Sequence, residues 1–212
     1  MQNTYDDEDK RRHLRISEPS PWVARFAPLI TPGCTVLDVA GGGGRHARLF
    51  LDNGCEIVAI DRDTTHLQDL SGDGRATVIE ADLEADASIF ADGGALKWRS
   101  FGGIVVVNYL HRPLMEDLVA ALAPGGVLIY ETFARGNEAF TRPRNPDHLL
   151  KSGELLALVS GRLQIIAYEH GRVDTADIPG VKQRLCAVND LGAGDRDEGD
   201  PPTHAVMPEN GG

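Results

Sequence analysis

Three aspartates stand at the ends of successive apolar runs: Asp38 within TVLDVA, Asp61 at the close of EIVAID, and Asp82 just after ATVIEA. Asp61 lies 23 residues beyond Asp38, and Asp82 lies 21 beyond Asp61. A carboxylate can accept hydrogen bonds from both hydroxyls of a ribose at once, and another can accept from an adenine amino group. Leu83 could lie against the ring. Asp38 is followed by Ala40 and then by Gly41, Gly42, Gly43 and Gly44. Missing side chains let a ligand lie against the main chain, and the helix start beyond them offers free N–H groups. Gly42-x-Gly44-x-x-Ala47 satisfies the dinucleotide pattern G-x-G-x-x-G/A, so nicotinamide and adenosyl ligands both fit at this level. Each residue has a plainer role open to it. The glycines can form a turn with no ligand, Asp61 can cap a helix in competition with Asp63, and Asp82 can shape a turn. The chemical reading rests on the set.

A fourth apolar run, FGGIVVV, ends in Asn108-Tyr109-Leu110-His111-Arg112-Pro113. Asn108 can hydrogen-bond, Tyr109 can wall a pocket, and His111 is the best-placed titratable group. The plain alternatives are a core Tyr109 and a His111 that merely begins a helix. Further on, RGNEAFTRPRNPDHLL carries Arg135, Arg142 and Arg144 against Glu138 and Asp147. Arg142 or Arg144 is expected to contact an anionic group of a substrate, with ordinary loop pairing as the alternative. Pro143 and Pro146 suit a lid held in one shape.

The elements that must position these groups alternate. Ser20-Pro21 opens a short helix carrying Trp22, Phe26 and Leu29/Ile30, closed by Pro32-Gly33. Strands are expected at 35–40, 56–60, 76–81, 101–107 and 127–133, with helices at 45–53, 64–70 and 113–122. Val- and Ile-rich runs separated by helical patterns mean βαβ units and a parallel sheet. After a helix at 152–160, the runs 163–168 and 182–188 are joined by a loop holding Gly171, Pro179 and Gly180, which suggests an antiparallel hairpin. In such a sheet, ligands sit at the carboxyl ends of the strands.

The 212 residues are 42% hydrophobic and 25% charged, an ordinary globular balance for one domain. A charged arm is expected over 1–17, the folded domain over 18–190 and a disordered acidic tail over 191–212. The net charge is −11; residues 190–212 hold six acids and one base, net −5, which leaves −6 for the rest. That argues against nonspecific nucleic-acid binding through a basic face. No apolar run reaches membrane-span length, and the first residues lack the apolar stretch of a secretory signal, so a cytoplasmic protein is expected. Cys34, Cys55 and Cys186 are far apart and form no CxxC, so neither a disulfide framework nor a zinc site is expected.

VLDVAGGGGRHARLFLDNG, IVAIDRD, EADLE and LAPGGVLIYETF together resemble class I S-adenosylmethionine (SAM)-dependent methyltransferases over about residues 20–189. The stretch 131–155 is similar to the ETF…GNE…RPxNPDxLLxxGEL of small bacterial tellurite-resistance-like methyltransferases. The resemblance implies an α/β, Rossmann-like fold: a mostly parallel seven-stranded sheet with a C-terminal antiparallel hairpin and helices on both faces. It implies SAM contacts at Asp38 (methionine amino end), Ala40, Gly41, Gly42, Gly44, Asp61 (ribose), Arg62, Asp82 and Leu83 (adenine), and Asn108 (methionine portion). The usual pattern is D/E-x-G-x-G-x-G, and Ala40 occupies its first glycine position.

The expected reaction is in-line displacement of a methyl group from sulfonium to a small-molecule acceptor, with alignment as the protein's main contribution. Neutral Asn108 avoids stabilising the positive reactant. His111 is the candidate base, with Tyr109 beside it. Trp22, Arg142 and Arg144 are the candidate substrate contacts, on elements expected over the pocket, and no metal is expected. A thiolate or chalcogen oxyanion acceptor would need no base. Two other classes stay open: an NAD-dependent oxidoreductase and a noncatalytic SAM-binding protein. Either a monomer or a homodimer is compatible with the sequence.

Overall fold

A computed structural model describes residues 16–85, 88–174, 178–192 and 200–206. The charged arm therefore falls almost wholly outside the described residues. Seven strands form one sheet: β1 (Thr35–Val39), β2 (Glu56–Asp61), β3 (Ala76–Glu80), β4 (Phe101–Val107), β5 (Leu122–Phe133), β6 (Gln164–Val173) and β7 (Gly180–Val188). Their order is β3-β2-β1-β4-β5-β7-β6. β1 to β5 pair in parallel, and β7 runs antiparallel to both β5 and β6. The chain steps outward from β1 to β3 and then returns to lay β4 on the other side of β1. That return makes a switch point between the carboxyl ends of β1 and β4, where a crevice opens.

Side-chain alternation along the strands feeds two cores. Val36, Ile57, Ala59, Val105 and Ile129 bury against α1 (Pro21–Phe26) and α2 (Arg45–Asp52). Leu37, Val58, Ile60, Ile104 and Leu128 bury against α3 (Arg112–Ala120) and α4 (Glu154–Val159). Helices thus cover both faces, as expected.

The departures have local causes. α1 stops at Phe26 and tightens into a 3-10 turn over Ala27–Leu29, because Pro28 cannot donate to a helical carbonyl. The helix expected at 64–70 is replaced by two 3-10 turns, Thr65–Leu67 and Leu70–Gly72. There Asp63 Oδ1 accepts from Thr65 N at 3.0 Å, and the chain turns after it without completing a helical run. β5 begins at Leu122, and the expected Pro-Gly-Gly turn becomes a register shift from Phe101↔Leu122 to Gly103↔Val127. Part of the tail read as disordered is described, and His204 Nε2 lies 2.5 Å from Asp190 Oδ2, tying that part to the fold. Residues 193–199 and 207–212 lie outside the described residues.

Candidate functional site

A cleft of about 650 Å³ opens at the switch point. That is ample for a nucleoside-sized ligand, since small-molecule sites run from about 300 to 1,000 Å³. All the expected cofactor contacts except Gly44 line it: Asp38, Ala40, Gly41, Gly42, Asp61, Arg62, Asp82, Leu83 and Asn108, joined by Tyr109.

The loop after β1 is built around two carboxylates. Asp38 shares the face of Val36, is 1% exposed, and accepts from Ala47 N at 3.1 Å. A side chain at Gly41 would put its Cβ 3.1 Å from Asp38 Oδ2, so the bare main chain lets the loop pass close to that buried carboxylate. Asp61 Oδ2 accepts from Gly42 N at 2.8 Å and Oδ1 from Asp63 N at 3.0 Å. Each oxygen has capacity for a second donor. Asp61 therefore braces the loop, while Asp63, not Asp61, makes the turn bond to Thr65. Gly44 has φ 75°, and a Cβ there would meet Leu67 Cδ2 at 2.6 Å, so its bareness serves helix packing rather than the cleft. Asp82 is exposed and accepts from Glu84 N at 2.9 Å; it shapes a turn and lines the cleft as well.

Ala40, at the position where the family pattern has glycine, takes φ 53°. Left-handed backbone costs a residue with a Cβ about 1–2 kcal/mol, and glycine gives back about 0.4–1 kcal/mol through its looser unfolded chain. Ala40→Gly is therefore expected to stabilise the fold by about 0.5–1 kcal/mol, read as a rise in urea midpoint at constant slope.

At the end of β4 the structure parts from the sequence reading. Asn108 has φ 56° and lines the cleft, with its N–H on Glu131 O at 2.8 Å. Tyr109 also lines it; burial pushes its phenol up, and the charges of Glu84 and Asp82 add to the effect. Leu110 then buries in the core and carries the chain away. His111, the expected base, stands at the N-cap of α3, without a side-chain cap bond, and is not among the cleft residues.

A different imidazole lines the cleft. His46 is 4% exposed, and its Nε2 accepts from Ser20 N at 3.1 Å, which places the proton of the neutral ring on Nδ1. Arg45 sits beside it and donates to Glu18 O at 2.9 Å. Burial, helped by Arg45, pushes His46 down to about 3. Burial pushes Asp38 up to about 7, opposed by the Ala47 N–H and Arg45 and helped by Asp61.

These two shifts pull stability in opposite directions. His46, held neutral, contributes stability present above about pH 6.5 and lost as pH falls toward 3. Asp38, held protonated, contributes stability present below about pH 4 and lost as pH rises through 7. Over about pH 4–6.5 the two nearly cancel, each worth at most about 1.4 kcal/mol per pH unit. Removing one uncovers the other. Relative to wild type, Asp38→Asn is expected to lose stability faster between pH 7 and 5, and His46→Gln to gain. Urea unfolding at both pH values measures the two slopes.

The expected substrate contacts lie elsewhere. Trp22 is a correction: it is 2% exposed, edge-on to Phe26 at 4.7 Å, with Nε1 donating to Leu185 O at 3.3 Å. The apolar side of α1 lies on the sheet, so this ring belongs to the core. Arg142 and Arg144 are exposed and do not line the cleft. Their segment is held by Asn137 Nδ2, which donates to Thr141 O at 3.3 Å and Pro143 O at 3.1 Å.

Beneath the cleft lies a charged cluster that sequence reasoning missed. Glu131 is 1% exposed and meets Lys182 Nζ at 2.5 Å, with Arg184 Nε 3.6 Å from its other oxygen. Ser20 Oγ donates to that oxygen at 2.7 Å and also accepts from Trp22 N at 3.2 Å as the cap of α1. Burial alone would raise the Glu131 carboxyl; the charges of Lys182 and Arg184, with hydrogen bonds from Lys182 and Ser20, outweigh it and hold it low.

No family model matches the sequence, and no curated protein matches it. Solved structures do. TehB from Haemophilus influenzae aligns at TM-score 0.61 and 16% identity over 79% of this chain, which spans 61% of that chain, under two thirds of its length. The N-methyltransferase NodS from Bradyrhizobium japonicum, in complex with S-adenosylhomocysteine (SAH), aligns at TM-score 0.57 and 16% identity, covering 86% of this chain and 97% of that one. The cyclase SpnF aligns at TM-score 0.57 and 14% identity, covering 79% and 78%. At these identities the likeness is one of fold: this chain has the Rossmann-like methyltransferase fold, a seven-stranded, mostly parallel sheet closed by an antiparallel pair.

Proposed function

We propose that the chain is a SAM-dependent methyltransferase acting on a small-molecule acceptor. The observation that carries the reading is Asp61: it reaches from the end of β2 to the glycine loop after β1, with both oxygens facing donors and capacity left for more. The residues present fit the cofactor: Asp61 keeps acceptor capacity, and Gly41, Asp82, Leu83 and Asn108 line the same cleft.

The chemistry that SAM supplies when bound is an electrophilic methyl group on a positive sulfur. Asp61 would hold the ribose hydroxyls, Asp82 the adenine amino group with Leu83 along the ring, and Asp38 the methionine amino end. Asn108 puts a neutral amide, not a carboxylate, at the end of β4, so the reactant cation gains no extra stabilisation there. The loop and strand ends are fixed by hydrogen bonds, which suits catalysis by alignment. Tyr109 is pushed up and His46 is pushed down, so near neutral pH neither removes a proton readily. A nucleophile that arrives without a proton to lose, such as a thiolate or a chalcogen oxyanion, fits these walls.

A second reading has one observation behind it: the same fold occurs in SpnF, which is described as a cyclase. Under it the chain would bind an adenosyl ligand and move no methyl group. Incubation with methyl-labelled SAM and fractionated cell extract separates the two. Transfer of label to a small metabolite, with SAH appearing in equal amount, is expected; cofactor binding without transfer in any fraction would favour the second reading. A nicotinamide enzyme is disfavoured by β7, which runs antiparallel between β5 and β6.

A further inference from the structure

The Glu131–Lys182 pair does more than neutralise itself. Lys182 Nζ also donates to Asn108 Oδ1 at 3.0 Å. An ammonium can only donate, so the atom it meets on Asn108 must be the oxygen. That fixes the amide's orientation. The Asn108 main chain is anchored at the same place by its N–H on Glu131 O at 2.8 Å, in a left-handed conformation that asparagine tolerates better than most residues. Asn108 lines the cleft, and its Nδ2 is not among the buried polar atoms lacking a partner.

We propose that Lys182, held by Glu131, is a positioning residue that turns the Asn108 oxygen away from the cleft and leaves its Nδ2 hydrogens facing in. The cleft then offers a hydrogen-bond donor at the end of β4, where the other orientation would offer a partly negative oxygen. This rests on the reading of the cleft as the SAM site. The consequence concerns discrimination. A donor gives no stabilisation to a cation, whereas an amide free to rotate would turn its oxygen toward one. Lys182 therefore restrains affinity for the positive SAM relative to neutral SAH, which favours turnover over tight reactant binding.

The test compares calorimetric affinities for SAM and SAH in four proteins: wild type, Lys182→Met, Asn108→Gly and the double variant. Glycine suits the positive φ at 108, so Asn108→Gly removes the amide without straining the backbone. Lys182→Met is expected to shift the SAM:SAH affinity ratio at least threefold toward SAM. In the Asn108→Gly background the same change should shift it by less than half as much. Loss of the lysine charge acting through space would move the ratio equally in both backgrounds, and that result would overturn the proposal, as would no shift at all. A merely structural role would weaken both ligands together. Should Lys182→Met fail to fold, the wild type decides by NMR: the Asn108 side-chain amide protons are expected to move on saturation with SAH, and protons that stay put contradict the proposal. Wild type that binds neither compound would instead defeat the reading of the cleft.

Discussion

Replacing Glu131 by alanine is expected to destabilise the fold by about 3–5 kcal/mol, the usual cost of stranding a buried charge. Glu131 and Lys182 are both at most 2% exposed, and Arg184 is also buried. Alanine would take the Glu131 carboxylate from Lys182, leave Arg184 to Glu169 at 3.3 Å, and free the Ser20 Oγ hydrogen at the start of α1. Removing Glu131 and Lys182 together should cost less than the single change, because desolvating the pair offsets much of its attraction. The exposed pair Arg172–Asp174 at 2.7 Å is the contrast: Arg172→Ala should change stability by less than about 1 kcal/mol. Urea unfolding at pH 7 measures all three. A Glu131→Ala cost near that of the surface variant would mean that water reaches the cluster.

The second large effect is on ligand binding. Asp61→Ala is expected to weaken SAH binding at least 100-fold, about 3 kcal/mol, since a hydrogen bond to a charged group is worth about 1.5–3 kcal/mol and two hydroxyls would lose theirs. The structure adds a second cause. Asp61 Oδ2 also holds Gly42 N at 2.8 Å, so alanine slackens the loop as it removes the ribose acceptor. Asp61→Asn keeps one acceptor oxygen without the charge and should fall between. Asp82 is exposed and should matter less, by about tenfold or under, as expected where solvent competes. Calorimetric titration gives the order wild type, Asp61→Asn, Asp61→Ala; an Asp61→Ala protein that binds like wild type would remove the ribose role.

What the sequence made legible is what is local. Apolar runs announced β1 to β5, and the residue after each run was a cleft candidate because strand ends are where such sheets bind. Asp61, Asp82 and the glycines follow from that rule, Asp38 stands one residue before the end of its run, and all but Gly44 converge on one cleft. The sequence is silent where neighbours in space are distant along the chain. Ser20 and Glu131 are 111 residues apart, Asn108 and Lys182 74, and no spacing rule joins them. His111 is a candidate because it follows a strand, but buried Leu110 takes it off the cleft. His46 stands in GGGGRHAR at the start of α2, directly after the glycine loop, and that position is the signal for it. Trp22 is a candidate because an N-terminal helix can lie over such a pocket. Its partners, Phe26 and Leu185, show the apolar stripe satisfied by the sheet instead.

Whether the crevice between β1 and β4 grips an adenosyl sulfonium is decided by titrating the full chain with SAM, SAH and NAD side by side in a calorimeter. Saturating heat with both adenosyl compounds and none with NAD at the same concentrations is the predicted result. Heat with NAD and silence from SAM and SAH would contradict the account.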